Sequence, residues 1–318
     1  MILQSVVVLS TILLVSCGAQ QTTHVETSDL KIHPDFEPDA SPAWKVHSGL
    51  EKVPELPAAM AAWKDRVFLV HSGWMSEFNP AEDRWVEKEL RLPGMVGSGV
   101  SLAVDHGRGQ LYVLRGGNQD AFWRIDLTTR KIEVLPPIPD TVGRGGALCF
   151  DHDRDQVYAV PGKIQLDFYR YDLKAKTWTE LTRVGGKTRL AKMGQSTSAL
   201  QYSQGKVYAW PDHHIQRFDV ETGVWYDKVH MSYGQRPWWD GSAWAHDVEK
   251  DVWYVIQGMS SRTFSYFDPN KRHFAFLMPR LPLRMSGQGS RAVVVEVGGK
   301  KRLFIYAIQQ NNVLISIG

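Results

Sequence analysis

The sequence has little cysteine, little net charge and no long helical pattern, and each shortage excludes a class of protein. Its 318 residues include 2 cysteines, too few for a disulfide framework or a four-cysteine metal site. Lys and Arg number 37 against 34 Asp and Glu, and a net charge of +3 does not indicate nucleic-acid binding. No segment carries a long apolar pattern with the helical period, so we expect almost no helix.

Aromatic residues are plentiful: 12 Trp, 11 Tyr and 12 Phe, which favours strands. An apolar residue followed by Asp or Asn recurs at steps of 47, 46, 47 and 49 residues, at Phe78-Asn79, Ile125-Asp126, Tyr171-Asp172, Phe218-Asp219 and Phe267-Asp268. Six residues after each pair comes a large apolar side chain: Trp85, Ile132, Trp178, Trp225 and Phe274. This periodicity predicts one structural unit repeated along the chain.

Each unit is predicted to hold four short strands, which in the second unit are 101–104, 111–114, 121–125 and 131–135. Four antiparallel strands in a repeat of this length are typical of a propeller blade. Residues 39–318 provide six units of about 47 residues. The sixth lacks a fourth strand, and the segment around Trp44 matches one. We therefore predict an all-β, six-bladed β-propeller, closed by an N-terminal strand that completes the last blade.

The second unit also resembles a known repeat. Its apolar run ending in Gly116-Gly117, the following Ile125-Asp126 and the large apolar residue downstream are similar to the kelch repeat. The other units replace the glycine pair with Ser72-Gly73, Pro161-Gly162, Pro211-Asp212 and Gln257-Gly258. The resemblance implies a propeller of the galactose oxidase and kelch superfamily type. That superfamily includes binding platforms, oxidases and sugar-processing enzymes, so the fold leaves the activity open.

The N-terminus carries a predicted export and lipidation signal. Residues 2–15 form an apolar run of signal-peptide length, and Leu14-Val15-Ser16-Cys17 resembles the lipobox of bacterial lipoproteins, although no Lys or Arg precedes the run. The resemblance implies a signal peptide over 1–16, a lipidated Cys17, and a tether over 17–38. Gly18 favours the outer membrane, facing the periplasm or the cell surface. The membrane would be contacted through the lipid alone. An ordinary signal peptide is the alternative.

Blade topology sorts the polar residues onto two faces of the ring. One face carries the loops between second and third strands and those between blades, and here we expect a rim of arginines and exposed indoles: Arg115, Arg144, Arg189, Arg236, Trp238, Trp239, Arg262 and Arg284. A guanidinium matches a carboxylate, and an indole face packs on a sugar ring. These residues predict binding of an anionic glycan or small acidic sugar. A protein partner is the other binding hypothesis, and arginines that merely cap blade edges are the structural alternative.

Catalysis is a second functional hypothesis. Within the predicted loops, His213 or His214 could accept a proton, Tyr233 could donate one, and Arg236 could neutralise a carboxylate. That arrangement resembles propeller-type polysaccharide lyases acting on uronates, and an epimerase or hydrolase would need similar groups. Hydrogen bonding within their own loop is the alternative for the two histidines. We expect no metal at the two histidines, because neighbouring strand residues point to opposite faces. We expect no copper-radical cofactor, because Cys149 falls inside a predicted first strand without an obvious tyrosine partner.

Other polar residues are predicted to be structural. His71 and Trp74 are the exception, because they are expected on the face that carries the arginine rim, in the first unit's loop between second and third strands. His106, His152 and His246 fall in hairpin turns on the opposite face and are expected to be solvated. Asp151, Asp153 and Asp155 alternate like a calcium loop but lack its glycine and glutamate, so they predict an acidic turn. We expect a monomer that does not bind nucleic acid.

Overall fold

The computed structural model describes residues 44–50, 57–165, 167–181, 199–210, 214–230, 242–258, 261–271, 273–277, 281–282, 285, 291–307 and 313–318. Their regular structure is all β, in six sheets of four antiparallel strands each. None of the described segments forms a helix with the length and hydropathy of a membrane span. The six four-stranded sheets confirm the predicted six-bladed β-propeller.

The strands follow the predicted order. Strand β1 is Lys45–Ser48. Blade 1 contains β2 (Ala58–Trp63), β3 (Arg66–His71), β4 (Trp74–Asn79) and β5 (Arg84–Arg91). Blade 2 contains β6 (Ser101–Asp105), β7 (Gln110–Leu114), β8 (Phe122–Asp126) and β9 (Ile132–Leu135). Blade 3 contains β10 (Ala147–Asp151), β11 (Gln156–Val160), β12 (Tyr169–Asp172) and β13 (Thr177–Glu180).

The second half of the ring repeats this pattern. Blade 4 contains β14 (Leu200–Ser203), β15 (Lys206–Ala209), β16 (His214–Asp219) and β17 (Val224–His230). Blade 5 contains β18 (Ala243–Asp247), β19 (Val252–Ile256), β20 (Phe264–Asp268) and β21 (His273–Leu277). Blade 6 contains β22 (Arg291–Val297), β23 (Lys300–Ala307), β24 (Val313–Ile317) and, as its fourth strand, β1.

The core lies between the blades. A cluster of buried apolar side chains fills each of the six junctions between neighbouring blades. The first strand of every blade lies innermost and lines a central channel. Because both faces of a blade are buried in this way, the second strands are almost entirely apolar and buried, as in Val157–Val160.

The recurring Trp of the fourth strand seals a junction. Trp178 pairs with Tyr171 of its own blade and contacts Phe122 of the preceding blade, with ring centroids 5.1 Å apart. Trp225 makes the same contact with Phe168 at 5.0 Å. Aromatic side chains bury large areas in such positions, which explains why they recur at the repeat period.

Ring closure is as predicted. β1 pairs with β24 in an antiparallel ladder from Lys45 opposite Ser316 to Ser48 opposite Val313. The imidazole of His47 is buried, with its Nδ1 2.5 Å from Asp83 of blade 1 and its Nε2 2.8 Å from the Ser316 hydroxyl. The closing strand is thus bonded to both blades at its junction.

Candidate functional site

The two kinds of loop meet on one face, called here the loop face. The Gly97 N–H, in the loop between blades 1 and 2, donates to Arg115 O at 2.9 Å, in the loop between the second and third strands of blade 2. One repeat later, the Gly143 N–H donates to Pro161 O at 2.9 Å. Gly99 has a φ of +89°, and a Cβ there would lie 1.9 Å from Gly143 O. The same backbone bonds therefore shape the loop face in both blades.

Three arginines of the predicted rim lie in described parts of this face. The Arg115 Nε donates to Met95 O at 2.7 Å, and the Arg262 Nε donates to Leu281 O at 2.5 Å. Arg144 is half-buried in the loop between blades 2 and 3. Arg115 and Arg262 thus each use one of their five N–H donors to hold a neighbouring loop. This bonding agrees with the structural alternative given in the sequence analysis, in which the arginines cap blade edges.

The remaining predicted site residues lie outside what the structure describes. They are Cys17, Arg189, His213, Tyr233, Arg236, Trp238, Trp239 and Arg284. The structure therefore neither assembles nor separates the predicted catalytic group, and these residues stay predictions.

Three loop assignments were wrong by a short distance. His71 ends β3 and Trp74 begins β4, because the blade 1 loop is only the two-residue turn Ser72-Gly73. His71 is buried, with Nε2 3.0 Å from the Ser76 hydroxyl, and burial together with the charge of Lys88 lowers its pKa to about 4. His214 is not in a loop either, since it is the first residue of β16 and pairs with His230.

One residue of the loop face was missed by sequence reasoning. In every blade, one residue at the start of the first strand lies opposite the last residue of the apolar run in the second strand. The six equivalent residues are Ala59, Ser101, Ala147, Ala199, Ala243 and Arg291. Five are small and one is cationic. Arg291 is half-buried at the start of β22, and burial lowers its pKa to about 10. Aligning the first strands would have revealed it.

On the opposite face, called here the turn face, polar side chains link consecutive blades. The Trp63 Nε1 donates to His106 O at 3.1 Å, and Arg108 donates to Asp155 of the next blade. Further along the ring, Tyr202 donates to Asp153 and Gln204 donates to Asp251. The acidic turn of Asp151, Asp153 and Asp155 is thus structural, as predicted, and no His, Cys, Asp or Glu group in the described residues could hold a metal ion.

One of the three turn-face histidines needs a correction. His106 and His152 are exposed turn residues as expected, but His246 lies in β18 and its side chain is only 11% exposed, with Nε2 3.2 Å from Asp251. All three line one cavity in the central channel. Desolvation lowers the pKa of His106, and the charges of His246 and His152 lower it further while Asp105 opposes them. Their recurrence near the repeat period was the signal for this grouping.

The fold and its two faces define a six-bladed β-propeller with an arginine-bearing loop face. Among solved structures it is similar to an auxiliary nutrient binding protein from Bacteroides thetaiotaomicron VPI-5482, with a TM-score of 0.59, 12% identity, and coverage of 87% of this chain and 77% of that one. A second match, the structure of YjhT, has a TM-score of 0.49, 14% identity, and coverage of 66% and 72%. No protein-family model matches the chain, and no curated protein matches it significantly.

Proposed function

We propose that this propeller is an exported binding module whose loop face takes an anionic carbohydrate. The proposal rests on Arg291. It is the one cation among the six equivalent positions at the start of the first strands, and the other five residues are small. A guanidinium has five N–H donors, so an incoming carboxylate can bond Arg291 alongside the contact that Arg291 already makes within the protein. Arg115, Arg144 and Arg262 lie on the same face and add positive charge around the entrance.

The similar fold of a nutrient binding protein supports a binding role rather than a particular ligand. The lipid anchor at Cys17, the location in the bacterial envelope and the kelch-like type of the repeat are parts of the same proposal. They rest on the sequence patterns alone. A protein partner on the loop face is the competing occupant.

The test is binding of oligogalacturonate to the purified protein by isothermal titration calorimetry. We expect Arg291→Gln to weaken binding by about tenfold or more, since a charge-assisted bond to a carboxylate contributes roughly 1.5–3 kcal/mol. Arg84→Gln is the matched control, because Arg84 is exposed in a hairpin on the turn face and pairs with Glu82. Equal binding by wild type and Arg291→Gln would contradict the proposal.

The same samples distinguish binding from catalysis. A polysaccharide lyase creates an unsaturated sugar that absorbs in the ultraviolet, whereas a binding module leaves the oligosaccharide intact. Stabilisation on a thermal ramp without a rise in absorbance supports the binding module. A rise in absorbance would replace it with the lyase hypothesis.

A further inference from the structure

The central channel holds a cavity of about 700 Å³ that reaches the turn face. First strands of all six blades contribute to its wall. Four of the wall side chains are apolar and only partly buried: Leu102, Val104, Trp244 and Val294. A cavity of this size, with apolar walls and a few polar groups, is typical of sites for small organic molecules.

Most polar groups of the cavity lie at its mouth, while Gln201 of β14 contributes to its wall. His106, His152 and His246 come from blades 2, 3 and 5. His106 and His152 are exposed, and within the described residues no hydrogen bond engages the His106 ring. A neutral imidazole offers one N–H donor and one acceptor, so the His106 ring can bond a ligand without first losing a protein partner. The His152 ring lies 3.5 Å from Asp153, and the His246 ring lies 3.2 Å from Asp251.

The carboxylates at the mouth are already engaged. Asp105 and Asp155 both accept hydrogen bonds from Arg108. Asp251 bonds His246 and also accepts from Gln204 at 3.2 Å. A cationic ligand would compete with Arg108 and His246 for these carboxylates, whereas an acid can accept a hydrogen bond from the His106 ring, which is exposed. The arrangement favours an acidic ligand.

We propose that this turn-face cavity is a second binding site, independent of the loop face, for a small carboxylic acid with an apolar ring. The ring would lie against Leu102, Val104, Trp244 and Val294. The carboxylate would accept hydrogen bonds from the histidines at the mouth. Trp244 offers an aromatic face beside the Trp210 ring, whose centroid is 4.6 Å away.

Phenylacetate is a suitable probe for the cavity wall, with calorimetry as the readout. We expect wild-type protein to bind it with a Kd of about 1 mM or lower. Val294→Trp and Leu102→Trp should each weaken binding by about tenfold or more, because a larger side chain fills the space. Val134→Trp is the matched control, since Val134 is 67% exposed on an outer strand. Thermal unfolding confirms that each variant is folded. Two filling variants are used so that the test still stands if one of them does not fold.

The mouth is tested with the double variant His106→Ala/His152→Ala, which removes both imidazoles without adding a hydrogen-bond donor. It should weaken phenylacetate by about fivefold or more while leaving toluene, which has no hydrogen-bond acceptor group, unchanged. Arg291→Gln should leave phenylacetate binding intact, so failure here is distinguishable from failure at the loop face. Absence of phenylacetate binding, or equal binding by folded Val294→Trp and wild type, would overturn the proposal.

Discussion

The Asp or Asn that recurs every 46 to 49 residues caps a hairpin turn. The Asp126 Oδ1 accepts the N–H groups of Thr128 and Thr129 at 2.9 and 2.7 Å, and the Asp268 Oδ1 accepts those of Asn270 and Lys271. Such local bonds satisfy backbone donors in a turn. The bonds from Thr129 and Gln110 help to lower the pKa of Asp126 to about 2. The strongest sequence signal therefore reports a turn rather than a ligand site.

His71 makes acid stability a test of the structure at the scale of one residue. It is buried beside Ser76, and its pKa of about 4 in the fold compares with 6.5 for an ordinary histidine. The unfolded chain therefore takes up a proton that the folded protein does not, and stability falls as pH decreases from 6.5 towards 4. At about 1.4 kcal/mol per pKa unit, the loss is roughly 3 kcal/mol.

Urea denaturation between pH 7 and pH 4 measures this loss. Between pH 7 and pH 4, the free energy of unfolding of His71→Gln should fall by roughly 3 kcal/mol less than that of wild type. Val134→Gln serves as the control, because Val134 is 67% exposed on an outer strand and carries no titratable group. A His71→Gln protein with the wild-type slope would show that His71 is not buried in its neutral form.

At the scale of elements, the closing strand β1 depends on a small set of side chains. Lys45 and His47 both reach Asp83, with Lys45 Nζ 2.9 Å from Asp83 Oδ2. Burial lowers the pKa of His47, so its Nδ1–H donates to Asp83 while Ser316 donates to Nε2. Burial opposes the charge of Asp83, but the hydrogen bonds from Lys45 and His47 lower its pKa.

Asp83→Ala is therefore expected to destabilise the ring at its closure. It leaves the buried His47 without its carboxylate, which costs about 1–3 kcal/mol. The comparison is Asp65→Ala, since Asp65 pairs with its neighbour Arg66 in a turn and should change stability little. Urea denaturation gives the stabilities, and limited proteolysis ahead of β1 shows whether the strand detaches more readily. Equal stability of the two variants would contradict this role for Asp83.

Element boundaries show where sequence reasoning succeeded and where it stopped. The strands of blade 2 were predicted to within one residue, because glycines and turn residues mark their ends. His71, Trp74 and His214 were placed in loops, since the length of a loop cannot be read from the repeat period. The two-residue turn at Ser72-Gly73 needs a positive φ at Ser72, which is 52° there. Serine gives little warning of that conformation.

At the scale of the whole molecule, the sequence periodicity predicted the ring and the number of its blades. It did not predict which residues line the central channel. The axis is formed by residues far apart in sequence, such as Leu102, Trp244 and Val294, and their proximity follows only from closure. Arg291 stands out as an exception, and the turn-face histidines as a recurrence, once the six repeats of the sequence are aligned. The segments 184–195 and 230–241 fall largely outside the described residues, so the site residues predicted there, Arg189, Tyr233, Arg236, Trp238 and Trp239, stay untested.

The attachment of the whole molecule to a membrane is a separate prediction. A bacterium expressing the full chain and grown with labelled palmitate should incorporate label into the protein, since the lipobox-like motif implies acylation at Cys17. Cys17→Ser should abolish labelling and release the protein from the membrane fraction. Cys149→Ser is the matched control, because Cys149 is buried inside β10 and its pKa is raised by that burial. Labelling that survives Cys17→Ser would contradict the anchor.

The central claim is that the loop face binds an acidic sugar at the channel entrance beside Arg291. A crystal structure of the protein soaked with oligogalacturonate tests it most directly. The account predicts a uronate carboxylate within hydrogen-bonding distance of the Arg291 guanidinium, with the sugar extending over the loops that carry Arg115, Arg144 and Arg262. A sugar bound only at the blade edges, or an Arg291 guanidinium closed off by a protein carboxylate, would contradict it.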